Sequence, residues 1–376
     1  MTTHNIVGFE TGSTYEQINQ GGTYSIQNSI KRTGAYALRT NPVTTAVGWI
    51  EIASHFNLTH GNMAEPTCYY RFYFRVDTLP ASNSEEFCSI RSTTQGKLFL
   101  RITSAGVIQA YSNDGTTQLG SDGTTILATD GTWYCIEIKC GSSDPDVYEI
   151  KINNVVELTG TGNVSGGNNA RLCLGKRTNR NGQSIDFYFD DVAIDNSAYP
   201  GPGAVGILLV DSDGTYTAWT IGAGGGSDWQ NVDDIPPDAE TTYLKSTLII
   251  GDASTVGFKS TTEGGVSGSI YAVKHSGIYR RASSGATMAL RFRSGGNDYD
   301  STNLFTGSSF DHYAQIYATD PATGVAWTLS AIDAVESGAV EKTTGAGDES
   351  KMDAVYLMVD YLVASGAGAR SYGIIF

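Results

Sequence analysis

The stretch Cys68-Tyr-Tyr-Arg-Phe-Tyr-Phe-Arg-Val76 is aromatic or β-branched at most positions, and Leu79-Pro80 stops it. Such side chains fill a pleated, half-buried surface, and proline removes a ladder donor, so the segment reads as a β-strand. The same signature recurs on either side. Lys97-Leu-Phe-Leu-Arg-Ile-Thr103 alternates cleanly, and Val107-Ile-Gln-Ala-Tyr111 follows it after Ala105-Gly106. Trp133-Tyr-Cys-Ile-Glu-Ile-Lys139, Val147-Tyr-Glu-Ile-Lys-Ile152, Arg171-Leu-Cys-Leu-Gly175 and Ile185-Asp-Phe-Tyr-Phe-Asp-Asp-Val-Ala-Ile194 complete the set. Turn signals separate them: Asn113-Asp-Gly115, Asp122-Gly123, Asp130-Gly131, Asn153-Asn154 and Asn181-Gly182. Strands at roughly 8- to 15-residue spacing without a helical period predict an antiparallel β-sandwich.

Composition agrees. The 376 residues include 45 Gly and 21 Tyr, and only 17% are charged, against an average of about 25%. Long charged helices are disfavoured, and 40% hydrophobic residues suffice for a core. The net charge of −15 is spread over both halves with no basic stripe, so neither nucleic acid nor a membrane is an expected partner. Met1–Val7 lacks a basic region followed by an apolar run, so synthesis in the cytoplasm without a signal peptide is expected. The five cysteines (Cys68, Cys88, Cys135, Cys140, Cys173) form no CxxC pattern and read as buried free thiols. Period-two counting puts Cys135 and Cys140 on opposite faces of their strand.

Ala198-Tyr-Pro-Gly-Pro-Gly-Ala204 is the linker candidate. It divides the chain into residues 1–200 and 205–376, read as two β-sandwich domains. In the second, Gly206–Val210, Ser246–Ile250, Ser269–His275, Thr287–Gly296, His312–Ala318 and Ala354–Val363 read as strands, with Ser269–His275 and Thr287–Gly296 as a core pair. One helix is predicted over Thr328–Gly338, with Leu329, Ile332 and Val335 on one face and Gly338 at its C-terminal cap. Asp211-Ser-Asp-Gly214 begins like a calcium loop but lacks the later ligands, and reads as a hairpin turn.

The order of Gly8-Phe-Glu-Thr-Gly12, Arg32-Thr-Gly-Ala-Tyr-Ala-Leu-Arg39, Tyr70–Val76, Trp133–Ile138 and Phe187–Ile194 resembles the concanavalin A-like (laminin-G-like) jelly-roll superfamily. The second half looks like a module common in structural proteins of tailed bacteriophages. The residues carrying this are Val232-Asp-Asp-Ile-Pro-Pro-Asp-Ala-Glu-Thr-Thr-Tyr-Leu244, Leu290–Asp300 and Tyr313–Thr328. The resemblance implies a virion component, a decoration or fibre-like appendage of head or tail, homo-oligomeric and in contact with other virion proteins. The lectin-like first domain would then face outward, and host surface glycan is its implied ligand.

Hydrolytic members of the jelly-roll superfamily carry acids alternating along one strand. Here Asp186 and Asp190 stand four residues apart, no Glu-x-Asp-x-Glu exists, and the five histidines are scattered. No catalytic residue is therefore assigned, and the chain is expected not to be an enzyme. In related carbohydrate-binding sandwiches a structural calcium joins the first and last strands, which implies Glu10 and Asp191 as ligands; the alternative is a turn-capping Glu10 and a solvated Asp191. Glycan platforms would come from Trp49, Tyr111 and Trp229, with Tyr69, Tyr70 and Trp219 as further aromatics. The terminal Ala364–Phe376, Gly/Ala-rich with three apolar residues at its end, reads as a docking segment for its own domain or for a neighbouring subunit.

Overall fold

In a computed structural model the described residues are 3–42, 46–54, 65–142, 147–161, 167–178, 182–238, 240–281, 287–304, 309–344 and 349–363. The predicted docking segment 364–376 lies outside them, as do His55 and His60. Strand makes up 53% of the described residues and helix 2%, so the all-β prediction holds.

The first sandwich has fifteen strands among the described residues. They are β1 (Thr3–Val7), β2 (Asn19–Gly22), β3 (Tyr24–Gln27), β4 (Ala37–Thr40), β5 (Gly48–Ala53), β6 (Thr67–Val76) and β7 (Ser84–Arg91). Then come β8 (Gly96–Thr103), β9 (Ile108–Tyr111), β10 (Gln118–Leu119), β11 (Tyr134–Gly141), β12 (Val147–Ile152), β13 (Val155–Thr161), β14 (Arg171–Lys176) and β15 (Phe187–Asp195). One sheet runs β13-β12-β11-β6-β15-β4-β3 with β1 also on β15, and the facing sheet runs β10-β9-β8-β7-β14-β5-β2. Within β6, Cys68, Tyr70, Phe72, Phe74 and Val76 enter the core between the sheets. Arg71 and Tyr73 take the other face, as a two-residue period requires. Asn153 and Asn154 join β12 to β13 with φ of 49° and 67°, the left-handed pair that matches a two-residue hairpin to strand twist. All five cysteines are buried free thiols, with Cys140 in the main core and Cys135 in an outer cluster.

The second sandwich contains β16 (Ala204–Thr217), β17 (Thr220–Ala223), β18 (Tyr243–Lys245), β19 (Ala253–Phe258) and β20 (Ile270–Arg281). It continues with β21 (Thr287–Ser294), β22 (Asn297–Asp300), β23 (Asp311–Tyr317), the helix α1 (Leu329–Ile332), β24 (Glu336–Thr343) and β25 (Ser350–Tyr361). β16 serves both layers: Ala204–Leu209 pairs with β25, and Val210–Thr217 pairs with β19 through two register shifts. Asp211–Gly214 is therefore strand interior and not the predicted hairpin, because a bulge there lets one strand change partners.

Three other expectations need correction. The helix is one turn long, capped by the Thr328 side chain accepting from the Ala331 N–H. Gly338 lies inside β24, where a Cβ would come within 1.9 Å of the Ser254 carbonyl oxygen; close strand approach, not helix capping, uses this glycine. Ser246–Ile250 is not a strand: the strand precedes it at β18, Leu248 has φ of 62°, and Ile249 and Ile250 are exposed. β20 and β21 are not paired, since β20 pairs with β23 and β25 while β21 pairs with β22 and β24.

A separate buried cluster of Ile6, Ala193, Val205, Tyr356 and Met358 joins the two sandwiches. Buried charge crosses the same surface. Lys274 Nζ of β20 donates to Glu16 Oε1 at 3.0 Å and to the Ile6 carbonyl at 3.0 Å.

Candidate functional site

Glu10 and Asp191 both lie in a buried acidic cluster beside the linker. Asp191 has φ of 53° at a bulge in β15, which turns consecutive carboxylates into the same region. Asp190 accepts from the Arg32 and Asp191 backbone N–H groups, both at 2.9 Å. Asp191 accepts from the Arg32 guanidinium at 2.5 Å, the Thr33 hydroxyl at 2.7 Å and the Val205 N–H at 2.6 Å. Glu10 accepts from the Ala35 N–H at 2.6 Å, and Gly34 is required beside it because a Cβ would reach 2.0 Å from Oε1. Burial pushes the Glu10 carboxyl up to about 8, and the Asp191 charge adds to the effect.

This arrangement does not fit the calcium inferred from the fold. Calcium takes about 6–8 oxygen ligands. Among the carboxylate oxygens of Glu10 and Asp191 only Glu10 Oε1 lacks a hydrogen-bond partner. The Arg32 guanidinium stands where a cation would neutralise Asp191. Among the described residues no group of three or more His, Cys, Asp or Glu is placed to hold a metal ion.

A different constellation forms on the outward face of the β10–β2 sheet. Ile50, Ile52, Cys88, Ile90, Leu98, Leu100, Leu172 and Leu174 point into the core. Alternation therefore sends Trp49, Glu51, Arg91, Arg101, Tyr111 and Arg171 to the other side. The fully buried Glu51 carboxylate gathers three guanidinium groups: Arg171 at 2.8 Å, Arg177 at 3.1 Å and Arg91 at 3.2 Å. Burial and the neighbouring Arg177 charge pull Arg91 below its ordinary value, a sign of crowded positive charge. Arg177 also lies over the Trp49 ring, 4.1 Å from its centroid. A Cβ on Gly21 would approach the same ring to 2.7 Å, so only glycine leaves room for the indole. Farther along, Arg101 stacks over Tyr111 at 3.8 Å and hydrogen-bonds the Gly115 carbonyl. Lys97 adds a fifth basic side chain, and the buried Glu86 a second carboxylate.

Trp49 and Tyr111 thus share one face, four strands apart, about 19 Å at ordinary strand spacing. Trp229 is half-buried against the core of the other sandwich and does not join them. Tyr70 and Trp219 are core residues, hydrogen-bonded to Ser54 and to the Asp252 carbonyl. The arginines around Glu51 escaped the sequence reading. Their signal was the alternation of Trp49-Ile-Glu51 and Arg171-Leu-Cys173, which places charge opposite the core.

No protein-family model matches the chain, and no curated protein sequence matches it. Solved structures do. Cellulose induced protein Cip1 is 17% identical with a TM-score of 0.40, covering 53% of this chain and 100% of its own. The endo-β-1,4-glucuronan lyase from the fungus Trichoderma reesei is 14% identical with a TM-score of 0.37, over 52% of this chain and 96% of its own. A carbohydrate esterase from Shiga toxin-encoding bacteriophage phi24B is 14% identical with a TM-score of 0.34, over 47% of this chain and 88% of its own. By name most of these similar structures are carbohydrate-active enzymes, alginate lyases among them. That finding overturns the expectation that the chain is not an enzyme: absence of an alternating acid pair does not exclude catalysis on a fold of this kind.

Proposed function

We propose that the outward face of the β10–β2 sheet binds a saccharide carrying carboxylate groups. The observation that supports this reading is the convergence of Arg91, Arg171 and Arg177 on the single carboxylate of Glu51, with Trp49 beneath Arg177. Guanidinium groups recognise carboxylates through paired, charge-assisted hydrogen bonds. Trp49 and Tyr111, buried beneath Arg177 and Arg101, hold those guanidinium groups in place through cation–π contacts. Glu51 fixes the arginine side chains before any ligand arrives, which lowers the entropy lost on binding.

Titration of the full chain with alginate oligomers, with neutral oligosaccharides of equal length as control, tests the reading. Binding that weakens with salt, and drops tenfold or so in Arg171→Ala and in Arg177→Ala, is expected; tenfold is about 1.4 kcal/mol. Absence of binding to any acidic saccharide by the folded protein, or equal binding by both variants, overturns it. Reducing ends and unsaturated products measured in the same incubation report turnover. Placement of the chain in a phage particle is supported by the resemblance of residues 205–376, and detection of the chain in purified virions tests it.

A further inference from the structure

Asn5, Glu16 and Lys274 form a buried triad where the two sandwiches meet, with exposures of 0%, 2% and 0%. Lys274 Nζ donates to the side-chain carbonyl of Asn5 at 3.2 Å and to Glu16 Oε1 at 3.0 Å. The Ile6 backbone carbonyl takes its third proton, also at 3.0 Å. The Asn5 amide is oriented from its other end, where Nδ2 donates to the Ala53 carbonyl at 3.0 Å. An amine, a carboxamide and a carboxylate are thus held in contact, although Lys274 lies 269 positions from Asn5 and 258 from Glu16.

These are the three groups that an amide exchange requires. Burial pulls Lys274 below its ordinary value and outweighs the opposing pull of Glu16, which favours the neutral, nucleophilic amine. Glu16 already accepts the hydrogen bond of the ammonium, so it is placed to act as the base. The Tyr356 hydroxyl at 3.5 Å and His312 Nε2 at 3.8 Å face the same Glu16 oxygen. Burial keeps out the water that would otherwise hydrolyse the carboxamide. Holding both reactants inside one folded chain replaces a bimolecular encounter with a unimolecular step.

We propose that Lys274 and Asn5 join in an amide bond that ties the second sandwich covalently to the first. Glu16 takes a proton from Nζ, and rotation about the Cε–Nζ bond turns the freed lone pair towards Asn5 Cγ. The Nζ–Cγ bond forms while the carbonyl electron pair moves onto Oδ1. Glu16 then hands its proton to Nδ2 as it takes a second one from Nζ. The carbonyl re-forms, the Cγ–Nδ2 bond breaks, and ammonia leaves with that second proton as ammonium. Glu16 ends as the carboxylate it began as, and no oxidant or further reactant is consumed. The bond shares no residue with the arginine face and goes beyond the acidic-saccharide reading.

Mass spectrometry of the purified full chain, denatured and reduced, tests the proposal. The intact mass is expected to fall below that of the sequence by one ammonia. Trypsin is expected to release residues 1–31 joined to residues 260–280, because acylated Lys274 resists cleavage. Asn5→Ala and Glu16→Gln are expected to regain the full sequence mass and to give separate peptides. The wild-type peptide map decides even where a variant does not fold. A folded wild type that yields residues 1–31 and 260–274 only as separate peptides overturns the proposal, since the triad is then a hydrogen-bonded contact alone. Ammonia loss that persists in Asn5→Ala, or that fragmentation places at another asparagine, overturns it too. Complete cross-linking in folded Glu16→Gln overturns the route through Glu16.

Discussion

Arg71 in β6 and Asp360 in β25 meet across the two sandwiches at 2.8 Å, with side-chain exposures of 0% and 2%. Burial works against the Arg71 charge, but Asp360 more than offsets it, so the guanidinium sits above its ordinary value. Two further bonds, from Nε to the Asp191 carbonyl and from a terminal nitrogen to the Gly201 carbonyl, use two more of its five donors. Removing one member of such a pair leaves the other charged and dry. Asp360→Ala is expected to cost about 3–5 kcal/mol in urea denaturation, and Arg71→Met with Asp360→Leu to recover most of it. Losses that simply add in the double variant would show that the pair is not coupled.

Glu10 makes stability depend on pH. Its carboxyl is raised from 4.5 to about 8, by burial first and by the Asp191 charge second. Between those values the folded chain binds a proton that the unfolded chain has lost. Stability therefore falls as pH rises through this window, by at most about 1.4 kcal/mol per unit. Glu10→Gln, which keeps an acceptor for the Ala35 N–H, is expected to flatten the fall and to be the more stable protein above pH 8. Asp190 is raised in the same sense by burial and by Asp191, so some slope remains. Denaturation midpoints across the window decide.

His275 acts on the acid side. Burial lowers it from 6.5 to about 3, and its Nε2 faces the Tyr279 hydroxyl at 3.2 Å. In that interval the unfolded chain takes up a proton that the folded chain refuses, so stability declines as pH falls from 6.5 towards 3. His275→Leu is expected to flatten this limb and leave the alkaline one unchanged. An acid limb of unchanged slope would assign the loss to other groups.

Gly21 tests the aromatic part of the arginine face without touching an arginine. Gly21→Ala puts a methyl group within 2.7 Å of the Trp49 ring, so the indole must shift from beneath Arg177. A cation–π contact is worth about 0.5–2 kcal/mol, which sets the scale of the expected loss of acidic-saccharide affinity. Tryptophan fluorescence reports the displacement, and unchanged emission with unchanged affinity would rule it out.

Short-range pattern made much of the architecture readable. Aromatic residues at most positions of Cys68–Val76 announced a strand, and the Asn153-Asn154 turn announced a hairpin. Where the sequence reading failed, a neighbour decided. The helical spacing of Leu329, Ile332 and Val335 gave way after one turn because β24 pairs with β19 and β21 from Glu336 onward. At the arginine face Trp49 and Tyr111 could be read as aromatics. The grouping around Glu51 depends on β14 lying between β5 and β7, a strand order that no local period encodes.

During translation β6 leaves the ribosome long before β25, because Arg71 and Asp360 are separated by 289 positions. Glu16 likewise waits 258 positions for Lys274. The nascent first sandwich therefore carries Arg71 without Asp360, and Glu16 without Lys274, on the surface that the second sandwich will later cover. Water solvates both in the meantime, which keeps that surface hydrated and disfavours association with other half-made chains. Closure then requires the last strand, so the hydrated surface becomes dry interior only when both halves are present.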